Sequence, residues 1–227
     1  MKRMIVYVLV LSMLACLASC RSASQEHFAN STVPVQEGAQ EGLGDLYNGI
    51  ETGILMEGSL GSYWKLNGDT ITLFGGGAFL SMAAGFFPWR NFDERIVKVR
   101  VESGVTSIGS YAFHSYDFLE EVIVEDGAFV GMGIGCFGDN TRLKRVELGD
   151  SLRVIPSEAF IRCTSLEYVS IPATVTQIGY EAFKDCDSLK TVYFGGSQDD
   201  WNRIVIENGN EILSQAEILF QNRNIDQ

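Results

Sequence analysis

Four stretches of this chain carry one pattern, and a pattern that cannot bury its apolar residues one copy at a time dictates how the copies assemble. VTSIGSYAFHSYDFLEEVIV begins at Val105, FVGMGIGCFGDNTRLKRVEL at Phe129, LRVIPSEAFIRCTSLEYVSI at Leu152 and VTQIGYEAFKDCDSLKTVYF at Val175. Phe113, Phe137, Phe160 and Phe183 recur at spacings of 24, 23 and 23. The same spacings hold for Ile108, Met132, Ile155 and Ile178, for Leu119, Leu143, Leu166 and Leu189, and for Val122, Val146, Val169 and Val192. A half-copy, Ile96, Val99 and Val101, precedes them in register, so five strand segments are implied. A period in this range marks a solenoid, in which stacked units share one continuous core.

Each copy supplies a short strand of the form Leu-x-x-Val-x-(Ile/Leu/Phe), then a turn, then an Ile-Gly-x-x-Ala-Phe segment running back across the other side. Stacking places neighbouring strands about 4.8 Å apart in a parallel sheet. Alternation then turns Lys98, Arg100, Glu121, Ile123, Arg145, Glu147, Tyr168, Ser170, Thr191 and Tyr193 outward, away from the core. That outward surface is the first candidate binding face, and Tyr168 and Tyr193 favour one end of it, since exposed tyrosines supply rigid apolar area with a polar tip.

Ahead of the repeats, Tyr63, Trp64 and Leu66, a turn at Asn67-Gly68-Asp69, and Ile71, Leu73 and Phe74 in alternation read as a β-hairpin. Gly75-Gly76-Gly77 lacks the Gly-Lys-Ser/Thr of a phosphate loop and reads as a bend. Thr70 to Trp89 then runs without a charge. The favoured reading is a hydrophobic cap for the first strand. The alternative is an exposed patch of Phe79, Leu80, Met82, Phe86, Phe87 and Trp89, which would serve a partner, a second copy or a small apolar ligand.

At the N-terminus, Lys2 and Arg3 precede an uncharged run from Met4 to Ala18, the order of a secretory signal and too short for a permanent span. Leu17-Ala18-Ser19-Cys20 resembles a bacterial lipobox, which implies cleavage before Cys20 and its lipidation. Residues 1–19 are thus expected to be a lipoprotein signal peptide. Residues 20–57, rich in Ser, Gln, Glu, Gly and Asn, read as a flexible tether. The expected localisation is an exported, membrane-anchored lipoprotein on the outer membrane or periplasmic side, with Arg21 rather than Asp after Cys20. The whole chain carries 29 acidic against 17 basic residues, and an acidic surface argues against nucleic acid as a partner.

Little in the composition points to chemistry. Three cysteines follow Cys20, an odd number that makes no disulfide framework. Cys163 and Cys186 share one repeat position, held by Tyr116 and Asn140 in the earlier copies, and read as stacked buried thiols. Two histidines, His27 and His114, make neither a three-histidine metal site nor, on this reading, a histidine-based triad. The carboxylate pairs Glu120-Glu121 and Asp199-Asp200 read as solvated edges. The chain is therefore expected to be no enzyme, with no cofactor and no metal.

The copies resemble the BspA-like leucine-rich repeats of bacterial surface proteins, the subclass also described from Treponema, whose unit runs roughly I-G-x-x-A-F-x-x-C-x-x-L-x-x-V-x-I-P. Ile178-Gly179, Ala182-Phe183, Cys186, Leu189, Val192 and Phe194 carry the resemblance in the fourth copy, and Ile155, Ala159-Phe160, Cys163, Leu166, Val169 and Ile171-Pro172 in the third. The second departs most, at Met132, Cys136 and Asn140. Trp64, Leu66, Ile71 and Leu73 with Pro88-Trp89 look like that family's N-terminal segment, and Gly195-Gly196, Trp201-Asn202 and Ile204 like its C-terminal cap. The resemblance implies a leucine-rich-repeat solenoid with a curved parallel sheet on the concave face and irregular turns on the convex face. A hairpin cap is expected over 58–95, repeats over 96–194 and a C-terminal cap and tail over 195–227. It also implies protein binding, including host or cell-surface adhesion. Alternatives are a periplasmic scaffold or self-associating lipoprotein, and a binder of a small apolar ligand or lipid.

Overall fold

The computed structural model describes residues 51–54 (backbone only), 62–79, 87–128 and 131–221, all within one compact unit, Gly49–Gln227. The expected signal peptide, Cys20, most of the tether, and Leu80, Met82 and Phe86 lie outside the described residues. Among the described residues no helix is long and apolar enough to cross a membrane.

The repeats form the expected solenoid. Fifteen strands fall into one long sheet and two short ones among the described residues. The long sheet begins with β1 (Glu51–Ile54), β2 (Ser62–Asn67) and β3 (Thr70–Gly75), joined antiparallel. It continues in parallel through β5 (Lys98–Val101), β7 (Glu121–Val124), β9 (Arg145–Glu147), β11 (Tyr168–Ile171), β13 (Thr191–Phe194) and β15 (Glu217–Phe220). On the back, β4 (Ala78–Phe79), β6 (Ser107–Ile108) and β8 (Gly131–Met132) form one three-stranded ladder. A second holds β10 (Val154–Ile155), β12 (Gln177–Ile178) and β14 (Val205–Ile206). Repetition of one unit puts chemically equal residues at equal positions, so the core is a set of rungs. Val99, Val122, Val146, Val169 and Val192 pair strand to strand at 0–1% exposure, as the alternation requires.

The aromatic rung is the most regular. Phe113, Phe137, Phe160 and Phe183 stack with centroids 5.5, 5.8 and 5.3 Å apart and planes within 18°. Trp89 continues the stack on Phe113 at 5.2 Å, and its indole N–H donates to the Ala112 carbonyl at 3.1 Å. Its place explains the N-terminal cap. Phe79 pairs with Ile108 at the back, and Trp89 stands where a repeat has its phenylalanine. The cap is thus a divergent copy of the repeat. Ten positions separate Phe79 from Trp89 where five separate Ile108 from Phe113, so the extra residues break the spacing that sequence comparison relies on.

The C-terminal cap is built the same way. Ile206 pairs with Ile178, and Ile218 and Phe220 pair with Val192 and Phe194. An insertion between β13 and β14 holds a short helix, α1 (Gln198–Trp201). Its start is closed by a reciprocal capping box, in which Ser197 Oγ accepts from the Asp200 N–H and an Asp200 carboxylate oxygen accepts from the Ser197 N–H at 3.1 Å. Trp201 packs edge-on against Phe194. The cap thus contributes the short helix, Gln198–Trp201, and the last strand, Glu217–Phe220.

The convex turns are tightened by left-handed residues. Tyr111 and Ser115, Gly135 and Asp139, Glu158 and Arg162, and Glu181 and Asp185 form a pair in each copy, with φ from 54° to 59°. Each costs a non-glycine residue about 1–2 kcal/mol, which the stacked copies offset by hydrogen-bonding the turns to one another. Phe113, Phe137 and Phe160 donate their N–H groups to the carbonyls of Cys136, Ala159 and Ala182 at 2.8–2.9 Å. The series ends at Asn210, whose side-chain oxygen accepts the Phe183 N–H at 2.9 Å.

The same logic explains the cysteines. Cys163 Sγ donates to the Phe137 carbonyl at 3.2 Å and Cys186 Sγ to the Phe160 carbonyl at 3.1 Å, and each sulfur accepts a backbone hydrogen bond from the preceding copy, at Asn140 and Cys163 respectively. Asn140 does both with two atoms: Nδ2 donates to the Phe113 and Phe137 carbonyls at 2.9 and 2.8 Å, and Oδ1 accepts the Tyr116 N–H at 2.7 Å. In these three copies the position is filled by a small group that both donates and accepts, whereas the first copy has the buried ring of Tyr116 there. Cys136, Cys163 and Cys186 are free and buried.

Candidate functional site

The ten outward residues predicted on the concave face do share it, in two rows fixed by strand pairing. One runs Thr70, Lys98, Glu121, Arg145, Tyr168, Thr191, Glu217. The other runs Lys65, Thr72, Arg100, Ile123, Glu147, Ser170, Tyr193, Leu219. Alternation restricted to five strands misses Lys65, Thr70, Thr72, Glu217 and Leu219. Carrying the same parity into the hairpin and the last strand would have found them.

The two halves of this face differ. In the N-terminal half the charges serve one another. Lys98 Nζ lies 3.1 Å from Glu121, which is also 3.9 Å from Arg145. Arg145 hydrogen-bonds Glu147 and lies over the Tyr168 ring, 4.3 Å from its centroid. The hydrogen bond to Glu147 raises the Arg145 pKa further, and the bond to Glu121 does the same for Lys98. Arg100 Nε donates to Glu125 at 2.9 Å, and Lys65 to Glu102 at 3.4 Å. Exposed pairs of this kind are worth about 0–1 kcal/mol each, so they order the surface more than they stabilise the fold. An incoming charge must nevertheless displace a partner already in place.

Toward the C-terminal end the charges give way to Tyr168, Ser170, Thr191, Tyr193 and Leu219, with Glu217 at the margin. The two tyrosines are half-buried and Leu219 is 43% exposed. Covering this band requires little more than removing water from rings and hydroxyls, a favourable step of roughly 25 cal/mol per Å² of apolar area.

The apolar residues before the repeats lie elsewhere. Phe79, Phe87 and Trp89 are buried at 1, 4 and 0% exposure, so none of the three can belong to an exposed patch. Their rings fill the N-terminal core: Trp89 packs on Phe79, Phe87, Trp64 and Phe113.

On the convex side the structure assembles a group that the histidine count appeared to forbid. Ser115 Oγ lies 2.8 Å from His114 Nδ1, and His114 Nε2 lies 2.9 Å from Asp139. One histidine suffices for such a line, so the sequence argument was too strict. Its surroundings do not suit acyl transfer. Asp139 is held by a two-pronged pair with Arg162, whose hydrogen bond keeps its carboxyl below the usual range. Burial, outweighing the attraction of Asp139, lowers the His114 pKa. The N–H groups of His114, Ser115 and Tyr116 are spent on Tyr111, Gly138 and Asn140, leaving none of the three to receive an oxyanion. The group fastens adjacent turns.

Of the two carboxylate pairs, Glu120 is engaged with Lys144 at 2.9 Å, Glu121 with Lys98, and Asp200 with Ser197 and Arg203. Among the described residues no group of three or more His, Cys, Asp or Glu side chains is arranged to hold a metal ion.

Comparison with known proteins supports the repeat assignment. A sequence model described as "BspA type Leucine rich repeat region" matches residues 90–212 in six copies, a span that begins just after Trp89 and ends before β15. No curated protein matches the chain. Among solved structures, a leucine-rich repeat protein from Eubacterium ventriosum is similar at 21% identity and TM-score 0.50, over 67% of this chain and 45% of that one. A leucine rich cell surface protein from Faecalibacterium prausnitzii is 23% identical with TM-score 0.36, over 65% of this chain and 41% of that one. A Leucine Rich Repeat protein from T. pallidum is 19% identical with TM-score 0.43, over 76% and 62%. The chain spans less than half the length of the first two.

Proposed function

Because this chain belongs to the BspA-type leucine-rich-repeat family, we propose that it is a non-catalytic binding protein whose concave face receives a protein partner at the neutral band around Tyr168 and Tyr193. The single observation that carries this reading is the contrast within one sheet: cations and carboxylates in the N-terminal half are paired together, whereas the C-terminal half presents aromatic and hydroxyl groups with few charges. Interfaces concentrate their energy in such residues, ringed by polar ones.

A library of random displayed peptides, selected on the full chain, tests it. Peptides enriched on the parent should bind the Tyr168→Ser, Tyr193→Ser chain roughly 30-fold more weakly, the loss of about 2 kcal/mol at a hot spot. Tyr63→Ser, a change at the other end of the same face, should leave affinity within twofold of the parent, a difference of about 0.4 kcal/mol. Equal loss from all three, or no loss from the pair, would sink the reading.

The chain is further read as exported and lipid-anchored, on the strength of the Leu17-Ala18-Ser19-Cys20 tetrapeptide. A clickable fatty acid fed to expressing cells should label the protein, and Cys20→Ala should abolish the label. Labelling that survives Cys20→Ala argues for another attachment point. Adhesion to host or neighbouring cells is the role in which such a platform acts if it faces outward. A second reading, self-association, is favoured by the open end described next.

A further inference from the structure

The solenoid's C-terminal end is open among the described residues. β15 is the last strand of the long sheet and β14 the last of its short sheet, and both stand at the same end. Equal positions show what an uncovered rung means: Ile155 and Ile178 are 0% exposed, whereas Ile206 is 40% exposed and Val205 beside it 61%. Ile218 and Phe220 continue the rungs of Val192 and Phe194 and are only half-buried.

The backbone is open as well. Glu217 donates its N–H to the Lys190 carbonyl at 2.8 Å and Gln221 donates its own to the Phe194 carbonyl at 3.0 Å, so odd-numbered residues face β13. By alternation, Ile218 and Phe220 present N–H and C=O groups to the open side. The strand reads Glu-Ile-Leu-Phe, with no lysine or proline of the kind that keeps edge strands apart.

We propose that this end is an interface between two copies of the chain, formed by antiparallel pairing of β15 with itself about a two-fold axis. One register uses all the open groups. Ile218 lies opposite Phe220 of the second copy and exchanges both hydrogen bonds with it. Symmetry repeats the exchange, and Leu219 meets Leu219 of the second copy on the axis. Core-facing residues then continue the core across the junction, and Leu219 stays on the concave side. Glu217 falls opposite Gln221 of the second copy, so no carboxylates are opposed. A two-fold pairing is closed and consumes both edges, which stops growth at two. It also joins the Tyr193–Leu219 ends of the two concave faces into one longer neutral band.

Leu219 allows a test that leaves the core intact. Native mass spectrometry of the full chain, released from detergent at micromolar concentration, should show a dimer for the parent and a monomer for Leu219→Lys, which sets two ammonium groups against each other on the axis. The far-ultraviolet circular dichroism of Leu219→Lys should match the parent's. The Leu219→Cys chain should form a covalent dimer on mild oxidation, because directly opposed residues without mutual hydrogen bonds lie close enough for a disulfide. It should do so about a hundredfold faster than Tyr63→Cys, since the paired thiols meet at an effective concentration in the millimolar range. Parent chain treated alongside sets the background from its own cysteines.

A monomeric parent, a Leu219→Lys chain that still dimerises, or cross-linking of Leu219→Cys no faster than that of Tyr63→Cys would each overturn the proposal. A parent that dimerises only after removal of residues 222–227 would overturn it too, because those residues would then cover the edge. The measurements use no ligand, so failure here leaves the peptide-binding test standing, and failure there leaves this one standing.

Discussion

Phe137→Ala is expected to lower the unfolding free energy by about 3–5 kcal/mol, the cost of truncating a buried aromatic, and to broaden or divide the denaturant transition. Phe137 is fully buried in the aromatic rung, with Phe113 at 5.5 Å on one side and Phe160 at 5.8 Å on the other. Each stacked pair contributes about 0.5–1.5 kcal/mol beyond area burial, and this change removes two of them. A solenoid is held together by interfaces between nearest neighbours, so a cavity at a middle rung weakens the coupling of what lies on either side. Phe183→Ala, which loses one stacked neighbour at the end of the rung, should cost less and leave the transition single. Urea unfolding followed by tryptophan fluorescence and by circular dichroism measures both. The two probes should separate for Phe137→Ala, because Trp64 and Trp89 lie on the N-terminal side of the rung and Trp201 on the other. A loss of less than about 1 kcal/mol with coincident probes would show that the stack is incidental to the core.

The second large effect is of pH. Burial pushes all three described thiols up: Cys186 to about 12, and Cys136 and Cys163 in the same direction from a starting value of 9.0. An acid whose folded pKa is raised loses its proton first in the unfolded chain. The unfolded state therefore binds fewer protons above pH 9, and stability falls as pH rises. The window opens at about 9, and Cys186 stops contributing near 12. Well inside it the three together are expected to cost roughly 4 kcal/mol per pH unit, enough to unfold a domain of ordinary stability within two units. The phenol of Tyr116, also raised by burial, adds to the loss above pH 10. Urea midpoints between pH 7 and 10 test the slope. A thiol reagent should react with these cysteines at pH 8 only as fast as the protein unfolds. Rapid modification of three thiols in the folded protein would contradict the burial argument.

Much of this could be read from residues alone. The rungs of Phe113, Phe137, Phe160 and Phe183 and of the valines were legible because stacking copies one unit along one axis, and a translation in space leaves a period in sequence. The inward and outward assignment of the concave strands followed from the two-residue alternation of a strand. The buried, unpaired thiols of Cys163 and Cys186 followed from their shared repeat position. Other features are not periodic. The end copies were missed because insertions after Phe79 and Phe194 shift their rungs out of step, and spacing is all that a repeat search can see. The engagement of Arg145 with Glu147, Glu121 and Tyr168 depends on side chains brought together laterally, as does the pairing of Arg100 with Glu125 from the next strand's end.

The repeat with which the reading began is thus a property of the sequence, since chemically equal residues at equal intervals can be buried together in only one way. What sits on its surfaces is a property of the fold. Whether a charge is free or satisfied, whether Ser115, His114 and Asp139 meet, and whether the last rung is covered all depend on which groups the third dimension makes neighbours. Burial is set by an average over many similar residues and survives their variation. A surface site is set by a few particular distances, and no period records those.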